Sequence, residues 1–319
     1  MNTKIPSLES IKEAHKKIAS YIHYTPLLTS ESINQMTNAE VYFKCENFQK
    51  VGAFKARGAM NAVLSLQKEE LLKGVCTHSS GNHAQALALA ARENGSKAFI
   101  VMPRTSPKVK KDAVIGYGAK VIECEPTLEA REATVEQVIQ QTGAVFIHPY
   151  NNYDVIAGQA TAAKEIVEEL QGISLGYLLT PVGGGGLLSG TALAAHFLSP
   201  TTKVIGCEPK GADDAYQSFI KKRFIPSRNP KTIADGLMTS LGDKTFEIIL
   251  KHVDQILTVS DTQILEALYL TWERMKIVIE PSSAVCLAAV LNNKELFHGK
   301  RVGIILSGGN VDIRSWTKQ

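Results

Sequence analysis

Short apolar runs recur along the chain, separated by stretches long enough for a helix. Strand-like runs stand at 41–45 (VYFKC), 75–78 (VCTH), 97–102 (KAFIVM), 120–124 (KVIEC) and 144–148 (AVFIH). Others follow at 177–182 (YLLTPV), 203–207 (KVIGC), 254–260 (DQILTVS) and 301–307 (RVGIILS). Several are continuous rather than alternating, as strands buried on both faces require. The stretches 127–141, 154–170, 186–198 and 261–276 between them fit helices. This alternation predicts an α/β fold with parallel strands. A helix precedes the first strand: Pro6 and Ser7 open it, and Ile11, Ile18 and Ile22 share a face. The region 208–253, richer in polar residues and Pro, predicts long ordered loops. There is no internal repeat and no low-complexity linker.

The length, 319 residues, suggests two domains or two lobes of one. With 44% apolar and 21% charged residues, wholesale disorder and collagen-like repeats are excluded. Thirty-five basic against 31 acidic residues give +4 without a basic tract, which argues against nucleic acid as a partner. No apolar run is long enough for a bilayer, and the first residues lack the apolar core of a signal peptide. Cys45, Cys76, Cys124, Cys207 and Cys286 are odd in number and widely spaced, with no CxxC pair. A reduced cytoplasmic protein without disulfides, zinc motif or membrane partner is expected.

Three strand-like runs lead into polar turns containing glycine: Ser79-Ser80-Gly81-Asn82-His83, Gly183-Gly184-Gly185-Gly186 and Ser307-Gly308-Gly309-Asn310. Ligands in open α/β sheets bind beyond the carboxyl ends of strands, so three such turns suggest one shared site. The four-glycine run opens a helix, where backbone N–H groups can close around a phosphate. A tight turn needing glycine only for packing is the alternative, though one or two glycines would serve it. No Lys-Ser or Lys-Thr follows, so the run is not a P-loop. Read as a dinucleotide fingerprint it has Ser189 at the third glycine position, with Glu208 as the ribose-binding acid. An NAD-dependent enzyme is therefore a rival reading, but it leaves the other two turns unexplained. Lys55, beside Arg57, would by itself be a solvated helix start. Next to a phosphate cradle it suits a Schiff base with pyridoxal phosphate.

The segments AFKARGA (53–59), SSGNHAQA (79–86), PVGGGGLLSG (181–190) and SGGN (307–310), in this order, resemble the fold-type II pyridoxal-phosphate enzymes. The serine racemase and serine/threonine dehydratase branch is the most similar. HYTPLLTS at 23–30, ECEPTLEARE at 123–132, EPKGADDAYQS at 208–218, TIADG at 232–236 and WERMKIVIEP at 272–281 extend the resemblance over essentially the whole chain. Cysteine synthases usually carry Thr where His83 stands, which argues against that branch. Tyr150 and Ala84 depart from the mammalian pattern toward fungal-type racemases.

The resemblance implies a two-lobed fold like the tryptophan synthase β subunit, with parallel sheets flanked by helices. Residues 1–73 and 151–319 would form the large cofactor-binding domain, and 74–150 the small one. Lys55 would carry the cofactor and Phe54 pack on its ring. Gly183, Gly184, Gly185, Gly186 and the Leu187 N–H would hold the phosphate, with Gly236 also in the cofactor set. Asn82 would meet the ring hydroxyl and Ser307 the pyridine nitrogen. Ser79, Ser80, Gly81, Asn82 and His83 would take the substrate carboxylate, with Arg131 nearby. Lys55 and Ser80 would be the two acid–base groups, one on each face of Cα.

Glu208, the Ala212 carbonyl and Asp214 match a divalent-cation site suited to Mg²⁺, Ca²⁺ or Mn²⁺. Ser30, Lys50, Gln85, Tyr117, Lys276 and Asn310 match an ATP pocket at a homodimer interface. Biosynthetic threonine dehydratases carry a further regulatory domain. With few residues after Asn310, feedback through one is not expected. The implied activity is racemisation of L-serine together with loss of water from serine or threonine, giving a 2-oxo acid and ammonia. A threo-3-hydroxyaspartate ammonia-lyase, hinted at by Arg131, is the alternative within the family. A non-enzymatic ligand-binding relative is disfavoured by retention of Lys55 and all three turns.

Overall fold

The computed structural model describes residues 4–316. Its strands are β1 Leu27–Thr29, β2 Glu40–Cys45, β3 Val75–His78, β4 Ala98–Pro103, β5 Lys120–Cys124, β6 Val145–Phe146, β7 Tyr177–Pro181, β8 Lys203–Pro209, β9 Gln255–Val259 and β10 Arg301–Leu306. Six make one sheet in the order β1-β2-β10-β7-β8-β9, and four make a second in the order β5-β4-β3-β6. Every pairing is parallel except β1 against β2. The register sets Leu306 beside Cys45 and Ile304 beside Leu179. The carboxyl ends of β2, β7 and β10 therefore share one edge of the larger sheet.

The central strands are buried on both faces, which is why their apolar runs are continuous. Helix Pro281–Asn292 contributes ten buried residues, and helices Tyr153–Glu169 and Gly186–Leu198 are nearly as enclosed. Helix Lys55–Leu64 packs between Tyr153–Glu169 and Asn82–Glu93. Its contact with the first is close: a Cβ on Gly158 would lie 2.6 Å from the Gly58 Cα. No larger residue fits that crossing, and the crossing fixes where Lys55 and Arg57 stand.

Several expectations change. The first helix runs Leu8–Ile18, capped by Ser7, and buries Ile11, Ala14 and Ile18. Ile22 lies beyond its end, because the chain turns after Ile18. The strand expected at 144–148 shrinks to two residues, since the chain folds around the His148 side chain. The polar region 208–253 is irregular only in part, for it holds helices Asp214–Lys221 and Asp243–His252. The short edge strand β1 lies inside HYTPLLTS and has too few residues to show a period. All five cysteines are free and buried. Among the described residues no helix is long and apolar enough to cross a membrane.

Candidate active site

Lys55 is the first residue of its helix. Its Nζ donates to the Pro149 carbonyl at 2.8 Å and lies 5.1 Å from the centre of the Phe54 ring. Burial lowers its pKa to about 8, with Glu280 opposing the shift. An amine so placed gives up its proton far more readily than a surface lysine. The preceding residues are stitched to the third turn: Phe54 N–H donates to the Ser307 carbonyl at 3.0 Å, and Ala53 bridges to Gly308. Val51, just upstream, has φ +56°, a strained value for a β-branched residue. The Asn310 amide holds its carbonyl at 2.7 Å.

The four-glycine turn joins β7 to helix Gly186–Leu198. Gly185 has φ +86°, and no side chain caps the helix, so its first N–H groups have no intrahelical acceptor. A Cβ on Gly184 would lie 2.3 Å from the Tyr150 ring, and one on Gly183 3.0 Å from the Leu237 Cα. Packing and anion binding thus both demand glycine here. The Gly184 carbonyl accepts from Thr245 Oγ1 at 2.8 Å, and Tyr150 Oη shares a hydrogen bond with Thr239 Oγ1 at 3.0 Å.

The first turn also begins a helix. Gly81 is the N-cap of Asn82–Glu93 without any side-chain cap, and a Cβ on it would meet nothing within 4 Å. Uncapped N–H groups at a helix start favour an anion. Ser79 Oγ accepts from Gly81 N–H at 3.4 Å, whereas the half-buried Ser80 hydroxyl has no partner among the described residues. Asn82 donates to both oxygens of Glu280, at 2.9 and 3.2 Å, and accepts from Asn310 at 2.9 Å. Ser307 Oγ pairs with Ser283 Oγ at 3.0 Å.

His83 is buried with Nε2 3.2 Å from the Ile147 carbonyl. A carbonyl only accepts, so Nε2 carries the proton. Nδ1 is then a bare acceptor, and it has no partner. His148 is the reverse: its Nδ1 accepts from the N–H groups of Asn151 (2.9 Å) and Tyr150 (3.3 Å). Burial and the neighbouring His78 and Lys55 push its pKa down to about 3, so it stays neutral. Glu280 goes the other way, raised to about 7 chiefly by burial. WERMKIVIEP contains Glu280, yet the sequence assigned it no role. Its one local signal is Pro281, which marks it as a helix N-cap.

Arg131 lies in the first turns of helix Leu128–Thr142, close enough to His78 to disfavour its protonation. Its Nε is shielded from solvent without an acceptor, and no carboxylate pairs with it among the described residues. A cation near a helix N-terminus opposes the helix dipole, so its place there is not explained by local stability.

Glu208, the ribose acid of the dinucleotide reading, is fully buried. It accepts from Ala215 N–H (3.0 Å) and Tyr216 N–H (2.8 Å) at the start of helix Asp214–Lys221. Burial raises its pKa to about 9. Asp214 is buried with both oxygens lacking a hydrogen bond of normal geometry. Burial raises its pKa to about 6, and Ser227 offsets part of the rise. Among the described residues no three His, Cys, Asp or Glu side chains converge, so a cation here would use two carboxylates and the Ala212 carbonyl. Lys50 and Tyr117 line a cavity of about 280 Å³ together with Arg92, whose guanidinium lies 5.7 Å from the Tyr117 ring centre. Ser30 and Lys276 lie at helix ends, Gln85 on helix Asn82–Glu93 and Asn310 beside Asn82.

The parts fit a pyridoxal phosphate: a lysine near neutrality, two uncapped helix starts and a glycine turn without side chains. Residues 18–308 match the family described as pyridoxal-phosphate dependent enzyme. This chain belongs to that family. It is an enzyme of fold type II, which sets aside the NAD-dependent and non-enzymatic readings. It is 51% identical to a serine racemase of Dictyostelium discoideum, over 98% of this chain and 97% of that protein. The crystal structure of a serine racemase from that organism superposes with a TM-score of 0.91 at 52% identity, covering 96% of this chain and 99% of that one. A beta-hydroxyaspartate dehydratase of Paracoccus denitrificans is 50% identical, over 97% of this chain and 98% of that protein. The crystal structure of a T.th. threonine deaminase superposes with a TM-score of 0.92 at 44% identity, covering 96% of this chain and 99% of that one.

Proposed function

We propose that this enzyme converts L-serine to D-serine and also removes water from β-hydroxy amino acids such as serine and threonine, giving a 2-oxo acid and ammonia. The observation that carries the reading is Lys55, an amine at the cleft with a pKa near 8, in a site that also holds the unpaired Ser80 hydroxyl. The similarity to serine racemase supports it. Pyridoxal phosphate, when bound, supplies an electron sink for the carbanion at Cα. The glycine turn and the Leu187 N–H would hold its phosphate, and Asn82 and Ser307 would face its ring.

The uncapped start of helix Asn82–Glu93 holds the substrate carboxylate. Lys55 Nζ takes the Cα proton. In racemisation Ser80 returns a proton to the opposite face. In elimination the β-hydroxyl departs as water by taking up the proton that Lys55 removed from Cα, and the released aminoacrylate hydrolyses to the 2-oxo acid and ammonia. Ser307 is neutral and does not enforce protonation of a ring nitrogen as a carboxylate would. With that neutral neighbour, loss of the β-hydroxyl would compete with reprotonation by Ser80. The small and large domains, 74–150 against 1–73 and 151–319, would close to exclude water.

A second reading is a threo-3-hydroxyaspartate ammonia-lyase. The unpaired Arg131 favours it, because a second carboxylate would meet that cation, and the similarity to beta-hydroxyaspartate dehydratase supports it. Mg²⁺ (or Ca²⁺ or Mn²⁺) at Glu208, Ala212 and Asp214 is supported by the Asp214 oxygens, which are buried without a hydrogen bond of normal geometry. ATP at a homodimer interface is supported by the cavity that Lys50 and Tyr117 share. Rates and Mg²⁺ response unchanged by ATP would remove it. The reduced cysteines fit a cytoplasmic enzyme.

The test is a product assay on purified protein with pyridoxal phosphate and Mg²⁺, with D-serine and pyruvate quantified together from L-serine. D-serine in quantity, lost in Ser80→Ala, supports the racemase. Pyruvate alone makes the enzyme a dehydratase, and consumption of threo-3-hydroxyaspartate but not serine selects the second reading.

A further inference from the structure

Helix Lys108–Gly116, next to the second sheet, meets the turn Asp235–Leu237 of the larger unit. Lys110 Nζ stands 2.7 Å from an Asp235 carboxylate oxygen, the two side chains being 34% and 54% exposed. Both charges therefore face any approaching solute. The turn lies on the site: Gly236 N–H donates to Ser282 Oγ at 3.1 Å, and the Leu237 Cα packs on Gly183 at the head of the glycine turn. The pair is also within electrostatic reach of the buried Glu280 carboxyl. Burial dominates that group's upward shift, Asp235 adds to it and Lys110 subtracts.

Paired, the two charges largely cancel, and a monocarboxylic amino acid, itself a zwitterion, feels little of either. A substrate with a second carboxylate brings an extra negative charge. Lys110 attracts that charge, and Asp235 repels it. We propose that the Lys110–Asp235 pair is a specificity-determining charge filter beside the turn that packs on the glycine turn. Asp235 neutralises Lys110 and holds the preference toward monocarboxylic hydroxy amino acids over their β-carboxylate counterparts. The proposal rests on the reading of the site as one for β-hydroxy amino acids.

The measurement is the ratio of kcat/KM for threo-3-hydroxyaspartate to that for L-serine, on holoenzyme at low salt. Asp235→Asn leaves Lys110 unopposed and raises the ratio about three- to fivefold, the size of one partly screened charge. Lys110→Gln leaves Asp235 unopposed and lowers it by a similar factor. Both shifts shrink at about 0.5 M NaCl, where exposed charges are screened within a few ångströms. A pair that only braces the fold would move the ratio in the same direction in both variants, or leave it alone, and either result overturns the filter. If neither amino acid is turned over, the proposed function has failed, and calorimetric titration with succinate and butyrate reads the filter without catalysis. Tighter succinate in Asp235→Asn and weaker succinate in Lys110→Gln, with butyrate unmoved, sustain it. Equal succinate affinities in the three proteins overturn it.

Discussion

Lys55 and Arg57 stand two residues apart in one helix, and their surroundings are opposite in kind. Arg57 is fully buried with each donor used: Nε and Nη2 bond Glu46 at 2.7 and 2.8 Å, and Nη1 and Nη2 bond Glu165 at 2.6 and 2.8 Å. Lys44, also fully buried, pairs with Glu165 at 2.9 Å and donates to the Thr25 carbonyl at 2.6 Å. Burial alone would raise the Glu165 pKa. Hydrogen bonds from His15 and Arg57, with the charges of Arg57 and Lys44, more than reverse that and hold it well below the usual carboxylate range. Two cations and two carboxylates close on themselves, and no donor is left for a ligand.

Around Lys55 the count does not close. His83 Nδ1 is buried without a hydrogen bond, and Glu280 is hydrogen-bonded by amides alone, with Lys55 and Lys110 acting only at longer range. Arg131 Nε and both oxygens of Asp214, farther along the chain, are also buried without a hydrogen bond of normal geometry. Buried polar atoms are almost always paired, so each unpaired one calls for a reason. Single amide and hydroxyl atoms such as Asn61 Oδ1 and Gln159 Nε2 are also unpaired in the packed helices, whereas unpaired ionisable groups are absent from the Arg57 cluster. Burial of charge is thus common to both regions, and the pairing of the charged groups separates scaffold from site.

The comparison breaks most clearly at Lys55. Lys55→Ala is expected to lower turnover at least about a thousandfold with little change in melting temperature, because a single hydrogen bond, to the Pro149 carbonyl, is lost. A collapse of the melting curve would place Lys55 with the scaffold instead. Uptake of pyridoxal phosphate by the cofactor-free protein, followed by absorbance, should quicken as pH increases through about 8, where the amine loses its proton.

Arg57→Met is expected to do the converse. It leaves two buried carboxylates without their guanidinium and costs about 3–5 kcal/mol of stability, read as a lower urea midpoint. An unchanged midpoint would show that the cluster does not hold the fold.

Glu280→Gln sharpens the comparison through pH. A carboxyl whose folded pKa is raised to about 7 favours folding while protonated, and that contribution is lost as pH rises from about 4.5 through 7. The loss is on the order of 3 kcal/mol at pH 8. The glutamine variant should flatten the wild-type fall in stability between pH 5 and pH 8, measured by urea titration across that range. Parallel curves would mean that Glu280 has an unseen cation.

The smallest effect is expected at Asp214. Saturating Mg²⁺ should stabilise the wild type by about 2 kcal/mol in thermal melts and leave Asp214→Asn unmoved. Identical metal responses would return that carboxylate to the scaffold.

How much of this was legible follows from the range of each interaction. The strand runs at 41–45, 75–78 and 120–124 and the helix at 186–198 are nearly as the hydrophobic pattern predicts. Their periods need only neighbouring residues. The Ser7, Asn152 and Ser260 caps are local for the same reason. The three glycine turns were legible as turns, but the Tyr150 ring packed on Gly184 was not, because the tyrosine arrives from the other sheet. Arg57, by itself a solvated neighbour of Lys55, is among the most buried side chains in the chain.

By itself, then, the sequence determined the alternation of strands and helices, the glycine turns at their ends and the family to which the chain belongs. These depend on residue order over a few turns and on motifs that stand in line. Only the tertiary structure decided which polar groups are satisfied. Lys55 meets Pro149 across 94 residues, Arg57 meets Glu165 across 108 and Asn82 meets Glu280 across 198. Whether a buried charge is scaffold or site depends on the partner that the fold delivers, and no local pattern carries that information.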